Sequence, residues 1–339
     1  MKEYKYIVSL LFVFLFSCQI RKQSEDVLEY SVQHELLLED EFVIGKVRSM
    51  ALMDDSVPIV VNTQAENVFQ LLDYKKRDIR GYADWGQGPN EFLFPTSLFV
   101  AKDNMVTFWD INRRRYSAVQ IAHGDTVVKF NHLFEVRDSL FHFEMLPVLD
   151  GQFVAAGIYE DYRLVLLDKN GNFRKGFGEC PFRDDEERQV SGMIRSEIYQ
   201  GKLAVNRSGA KLVHALLRAD VLSFYEVSNG DLQLKSERIN AYPNYQYNSV
   251  AMPLSSPVYY LDVCATNQYV YALYSGRNYE DSKDKAFMGK VIKVYDWNGN
   301  IVKKLNLDIE IKVMCISQDD KKIYGIAFQP DPVLVSFTL

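Results

Sequence analysis

Four cysteines in 339 residues are too few for a disulfide framework, and no CxxC pair suggests a zinc site. Proline (10) and glycine (18) are sparse, which excludes collagen-like and low-complexity states. Basic residues are outnumbered, 39 against 45 acidic, for a formal charge of −6. A general nucleic-acid binder would carry the opposite excess. The longest apolar stretch, Tyr6 to Phe16, is about eleven residues, where a membrane-crossing helix needs roughly 20. No HExxH, G-x-S-x-G, Walker or dinucleotide-binding glycine motif occurs, and His34, His123, His132, His142 and His214 form no His-x-His pair. No catalytic residue, metal ligand or cofactor site is assigned from local motifs.

What is present points to a folded, sheet-rich chain. Hydrophobic residues make up 47% and charged residues 25%, a globular balance. Aromatics reach 13%, and with many Val and Ile they favour strands.

The N-terminus reads MKEYKYIVSLLFVFLFSC. Lys2 and Lys5 form a basic start, and the apolar stretch has the length of a signal-peptide core. Its end, Leu15-Phe16-Ser17-Cys18, resembles the bacterial lipobox, in which the peptide is cut before a Cys that carries lipid. The expectation is a signal peptide over 1–17, lipid attachment at Cys18, and a flexible tether over 18–35. A thioether lipid plus a second acyl chain anchors stably where one chain is marginal. Gln19 stands where an inner-membrane retention Asp would be, so the expected address is the cell envelope at the outer membrane, with the leaflet open. Of the other cysteines, Cys180, Cys264 and Cys315, one pair could form in an oxidising periplasm, but buried free thiols are the expectation, since Cys264 and Cys315 sit in strand-like runs.

Beyond residue 40 short strand-like runs follow one another: Ile59–Val61, Val68–Leu72, Met105–Trp109, Gln152–Ala156, Leu164–Leu167, Val221–Tyr225, Tyr269–Tyr274, Val291–Tyr295, Ile323–Phe328 and Leu334–Phe337. A degenerate repeat runs through them, a strand ending in an acidic or polar residue, a tight turn, and another strand. Asn-Gly pairs at 170–171, 229–230 and 298–299 predict type I′ hairpins, because that turn needs positive φ at both central residues. Six units of roughly 50 residues fill the chain, the pattern of an all-β, six-bladed β-propeller of four-stranded antiparallel blades. The expected propeller domain is 36–339. One short inserted helix is expected within 184–199, where Val190, Met193, Ile194 and Ile198 have helical spacing. The charge run before it reads as a solvated loop.

Gly86-Gln87-Gly88-Pro89-Asn90-Glu91-Phe92, followed by Pro95, resembles the G-x-G-P-x-E-F…P signature of the TolB-like six-bladed propeller lipoproteins common in Bacteroidota. Tyr199-Gln200-Gly201-Lys202-Leu203, Asn206-Arg207-Ser208-Gly209 and Phe224-Tyr225 are similar to that family's middle segment. Val294-Tyr295-Asp296-Trp297-Asn298-Gly299, Leu305-Asn306-Leu307-Asp308, Ile323-Tyr324, Pro330 and Phe337 are similar to its closing stretch. The resemblance implies a fold and an envelope address rather than an activity.

Three loops are candidate sites. In the first, Gly86 and Gly88 permit unusual φ or close approach, Pro89 rigidifies, Glu91 can accept turn amides and Phe92 can pack beneath. This is either a locked inter-blade turn or a channel-mouth loop presenting Glu91 to ligand. In the second, Asp110, Asn112 and Arg113 end a strand in FWDINRRRY, as an anion site or a solvated turn. In the third, Tyr242, Tyr245 and Tyr247 in AYPNYQYNS form a stacking surface for sugar or peptide, or packing over a blade edge. His214, in LVHALL, reads as a core or channel-wall residue.

The function expected is a lipid-anchored binding or scaffold module for a protein, peptide or glycan, with no nucleic-acid partner. The alternative is a calcium-dependent propeller hydrolase or lactonase, whose acidic ligands would converge from different blades.

Overall fold

The computed structural model describes residues 27–38, 44–101, 105–121 and 128–339. Every strand-like run of the sequence lies in a strand or starts one residue before it, and the strands group into sheets that follow chain order. Blade 1 is Val47–Met53, Val57–Asn62, Asn67–Asp73 and Asp78–Trp85, with the short Glu91–Phe92 pairing in parallel on its outer edge. Blade 2 is Pro95–Val100, Val106–Asp110, Arg115–Ile121 and Val128–Glu135. Blade 3 is Phe141–Pro147, Phe153–Ile158, Leu164–Leu167 and Phe173–Phe177. Blade 4 is Gly201–Val205, Lys211–Leu216, Asp220–Ser228 and Asp231–Ala241.

The remaining sheet is two blades joined by one long strand, Ile301–Ile316. Its first half pairs with Gly289–Asp296 as the outer strand of blade 5, after Pro257–Ala265 and Tyr269–Asn278. Its second half pairs with Lys322–Phe328 as the inner strand of blade 6. Pro332–Thr338 comes next, and His34–Leu38 from the N-terminal end completes blade 6. Each inner strand packs against the next, and the sixth returns against the first. The ring is a six-bladed propeller, closed by pairing the two ends of the chain.

The core confirms the count. Six apolar clusters each fill one inter-blade seam, from blades 1 and 2 round to blades 6 and 1. Both faces of most blades are therefore buried, which explains the near-continuous apolar runs. Leu38 is fully buried in the closing seam.

Three local expectations are corrected. The tether expected over 18–35 contains ordered strand: Leu28–Val32 adds in parallel to the outer edge of blade 5, and His34–Leu38 belongs to blade 6. These residues lack turn signals that would mark a strand, and they pair only with the far end of the chain. The type I′ prediction fits Asn229-Gly230, where both φ are positive, 51° and 71°. At Gly171 and Gly299 only the glycine is left-handed. There Asp168 and Asp296 accept from the amides two and four residues on, which seeds a type I turn with glycine in the bulge position. The single inserted helix is two, Asp185–Arg188 and Gly192–Ile198, because Asp184 and Ser191 each cap a new start. A further single-turn helix, Tyr279–Ser282, interrupts blade 5.

Candidate functional site

A cavity of about 380 Å³ lies on the propeller axis, lined by the inner strands of all six blades. It runs from mid-strand to the turns that follow, where Asp54, Asp55, Arg207 and Gln318 stand. Deeper in, five blades each contribute a polar side chain: Arg48, Ser97, Glu144, Lys202 and Asp262. Between this belt and the turns the wall is largely apolar, with Met50, Phe99, Leu146, Ala204, Cys264 and Ile316.

The inner strands break register beside the belt. Shifts fall between Val47 and Ser49, Thr96 and Phe99, His142 and Glu144, Tyr260 and Asp262, and Ile311 and Met314. Blade 4, carrying Lys202, keeps an unbroken ladder. Such bulges bend a strand and re-aim a side chain. They explain how charged residues come to line a channel whose strands otherwise pack apolar seams.

The belt is tightly bonded. Ser97 Oγ donates to Glu144 Oε2 at 2.6 Å, and Lys202 Nζ donates to Glu144 Oε1 at 2.6 Å. Asp262 accepts from the amides of Val263 at 3.0 Å and Met314 at 2.9 Å. Burial pushes the Asp262 carboxyl up to about 6, against the opposing pull of Lys202 and the two amides. Burial pulls Lys202 down, but Glu144 and then Asp262 more than offset it and hold the ammonium above its ordinary value. Burial lowers Arg48, with only the field of Glu144 opposing. The Arg48 guanidinium lies 3.3 Å from the Phe94 ring centroid, and its Nη1 is out of solvent with no hydrogen-bond partner. Burial also holds the Cys264 and Cys315 thiols far above their usual range, so both stay protonated, and both are free.

Calcium takes six to eight oxygens, whereas in the belt Glu144 is bonded to an ammonium and Asp262 to two amides. Among the described residues no group of three or more His, Cys, Asp or Glu is placed to hold a metal.

The candidate loops lie elsewhere. GQGPNEF is the connection from blade 1 to blade 2. Glu91 Oε2 accepts from the Gly88 amide at 2.7 Å, and the Glu91 amide donates back to the Gly88 carbonyl at 3.3 Å. A Cβ on Gly86 would come 2.1 Å from the Glu91 carboxylate, and the φ of Gly86 is +152°. Gly88 faces the same carboxylate, Pro89 is exposed, and Phe92 is buried against Phe69 and Phe108. Arg113 Nη1 ties the loop down by donating to the carbonyls of Gly88 at 2.8 Å and Glu91 at 2.9 Å. Asp110, fully buried, accepts from the amides of Leu93, Phe94 and Arg113. The first two candidate groups thus form one knot at the blade 1–2 junction, with Asn112 exposed beside it. None of these residues lines the axial cavity.

Tyr242, Tyr245 and Tyr247 pack against Ile198 and Tyr199 of the helical insertion. Tyr245 is buried, its ring 5.4 Å from that of Tyr247. Glu187, within the run expected as a solvated loop, is fully buried beneath them and accepts from Tyr199 Oη at 2.9 Å. His214 sits between blades 3 and 4 against a void of about 10 Å³, and burial, aided by Arg163, keeps it neutral. Cys18 and the signal segment lie outside the described residues.

The belt was not read from the sequence as a site, yet four of its five residues carry a signal. Arg48 in VRSMALM, Glu144 in FHFEMLP, Lys202 in GKLAV and Asp262 in YYLDVCA are each a charge inside an apolar inner strand. Such charges are rare without a partner or a function.

A closed ring of six blades around an axial cavity defines a six-bladed β-propeller. The chain matches the TolB-like 6-blade propeller-like family over residues 32–319 and belongs to it. No curated protein matches it in sequence. Among solved structures it is similar to regucalcin from Agrobacterium tumefaciens, described as a calcium-binding protein, at 8% identity and a TM-score of 0.53. That alignment covers 91% of this chain and 95% of the other. It is also similar to a luciferin-regenerating enzyme, at 8% identity and a TM-score of 0.52, covering 91% and 95%. At such identity these likenesses concern the fold alone.

Proposed function

We propose that this protein is a lipid-anchored binding module of the cell envelope, tethered through Cys18 to the outer membrane, whose axial channel receives part of a protein, peptide or glycan partner. The observation that carries the reading is the axial cavity, to which every blade contributes wall and five contribute a polar side chain. A propeller is a rigid frame, and its function lies in what that frame holds. The lipobox-like Leu15-Phe16-Ser17-Cys18 supports the anchoring, and the Lys202–Glu144 pair in the belt favours binding over calcium-dependent hydrolysis.

The test has two arms. Cys18→Ala is expected to abolish labelling by a radioactive fatty acid and to release the protein from membranes; persistent acylation would sink the anchoring. The intact protein, drawn from gently solubilised native membranes, is expected to carry a stoichiometric partner that Cys18→Ser loses. A clean monomer in both preparations would overturn the partner.

A further inference from the structure

We propose that the axial channel takes a carboxylate carried on an apolar body, with Arg48 as the residue that receives the charge. This rests on the reading of the channel as a binding site and names the chemistry of what enters it.

The argument is one of unmatched charge. Glu144 is matched by Lys202 and Ser97, and Asp262 by the Val263 and Met314 amides. Lys202 is in turn matched by Glu144. Arg48 is the exception. Among the described residues no carboxylate lies within ion-pair distance of it, and its inaccessible Nη1 meets no acceptor. A half-buried cation without an acceptor is a standing cost that an anionic guest removes. Guanidinium geometry suits a carboxylate; with one face on Phe94 and Nη1 shut off from the channel, the edge a guest meets is that of Nε and Nη2.

The guest's charge and body follow from the wall. Within the belt Arg48 is the one unmatched cation, and the carboxylates of Glu144 and Asp262 in the same belt favour a single negative charge over a phosphate dianion. Met50, Phe99, Leu146 and Ile316 continue the wall toward the turns and suit an aliphatic body. About 380 Å³ admits a small molecule or the last residues of a chain, not a folded domain. Two sources supply this chemistry, a peptide C-terminus ending in an apolar residue and a free aliphatic acid.

Calorimetry on the purified mature protein distinguishes them, with N-acetyl-Ala-Ala-Leu, its C-terminal amide, and 4-methylpentanoate as probes. Binding of one or both acids is expected, weakened at least tenfold by amidation and by Arg48→Gln, and partly restored by Arg48→Lys. A cooperative melt of Arg48→Gln verifies that it folds. Binding only of the peptide assigns a C-terminus; binding of both, or of 4-methylpentanoate alone, assigns a free acid. Equal binding of the amide, equal binding by folded Arg48→Gln, or no binding of either acid at millimolar concentration overturns the proposal. Capture of a membrane partner by Arg48→Gln, with no acid bound by the parent protein, sinks the carboxylate while the envelope module stands. Acid binding without any membrane partner does the reverse.

Discussion

Lys202 and Glu144 join neighbouring inner strands across the channel wall, Nζ to Oε1 at 2.6 Å. The same carboxylate accepts from Ser97, so one acidic group links blades 2, 3 and 4. The Glu144 side chain is only 8% exposed and that of Lys202 30%. Removing one partner strands a charge, which costs more than losing the pair. Glu144→Gln or Lys202→Met alone is expected to cost about 2 kcal/mol, and the double variant less than the sum of the two. Urea denaturation of all four proteins measures this; strict additivity would show that the two groups do not interact.

The GQGPNEF knot is expected to govern stability. Glu91→Ala leaves the Gly88 amide without its acceptor and is expected to cost about 1–3 kcal/mol. Gly86→Ala is expected to cost at least as much, since its Cβ would meet the Glu91 carboxylate from a φ of +152°. Neither change is expected to alter ligand binding, because the loop does not line the cavity. Unchanged melting together with altered binding would make this loop a site.

Asp262 predicts a pH signature. Its carboxyl is raised in the folded protein to about 6, from the 3.8 of a free aspartate. The native state holds that proton more tightly than the unfolded chain. The resulting stabilisation is complete below the unfolded value and is lost as pH rises through about 6. Asp262→Asn does not titrate. The stability of the parent relative to this variant is therefore expected to fall by about 1 kcal/mol between pH 4 and pH 7, allowing for water in the channel. A difference independent of pH across that range would contradict the assignment.

Ring closure at the N-terminal end gives a sharp contrast between two leucines. Leu38 is fully buried in the seam between blades 6 and 1, whereas Leu28, on the added edge strand, is 62% exposed. Leu38→Ala is expected to cost about 3 kcal/mol, and Leu28→Ala within about 0.5 kcal/mol of nothing. Equal effects in chemical denaturation would mean that blade 6 is not closed by His34–Leu38.

Much of the fold was legible because its signals are local. Alternating or continuous apolar runs and Asn-Gly turns announce antiparallel hairpins within a few residues, and six such units imply a ring. The Glu91 loop was half legible: its two glycines and its acid signalled a tight turn, but not that Arg113 would clamp it. Asp110 and Arg113, read as an anion site or a turn, are bonded to backbone groups of that knot. His34–Leu38 was missed because its pairing partner is at the other end of the chain.

By itself the sequence determined the class of structure and the repeat, since hairpin formation depends on backbone preferences and apolar periodicity over short spans. Only the tertiary structure decided which charges meet. Arg48, Ser97, Glu144, Lys202 and Asp262 come from five separate blades and share no spacing. They converge because closing the ring sets their inner strands side by side and bulges beside four of the five re-aim them to the channel, where Glu144 finds its cation and Arg48 is left without an anion.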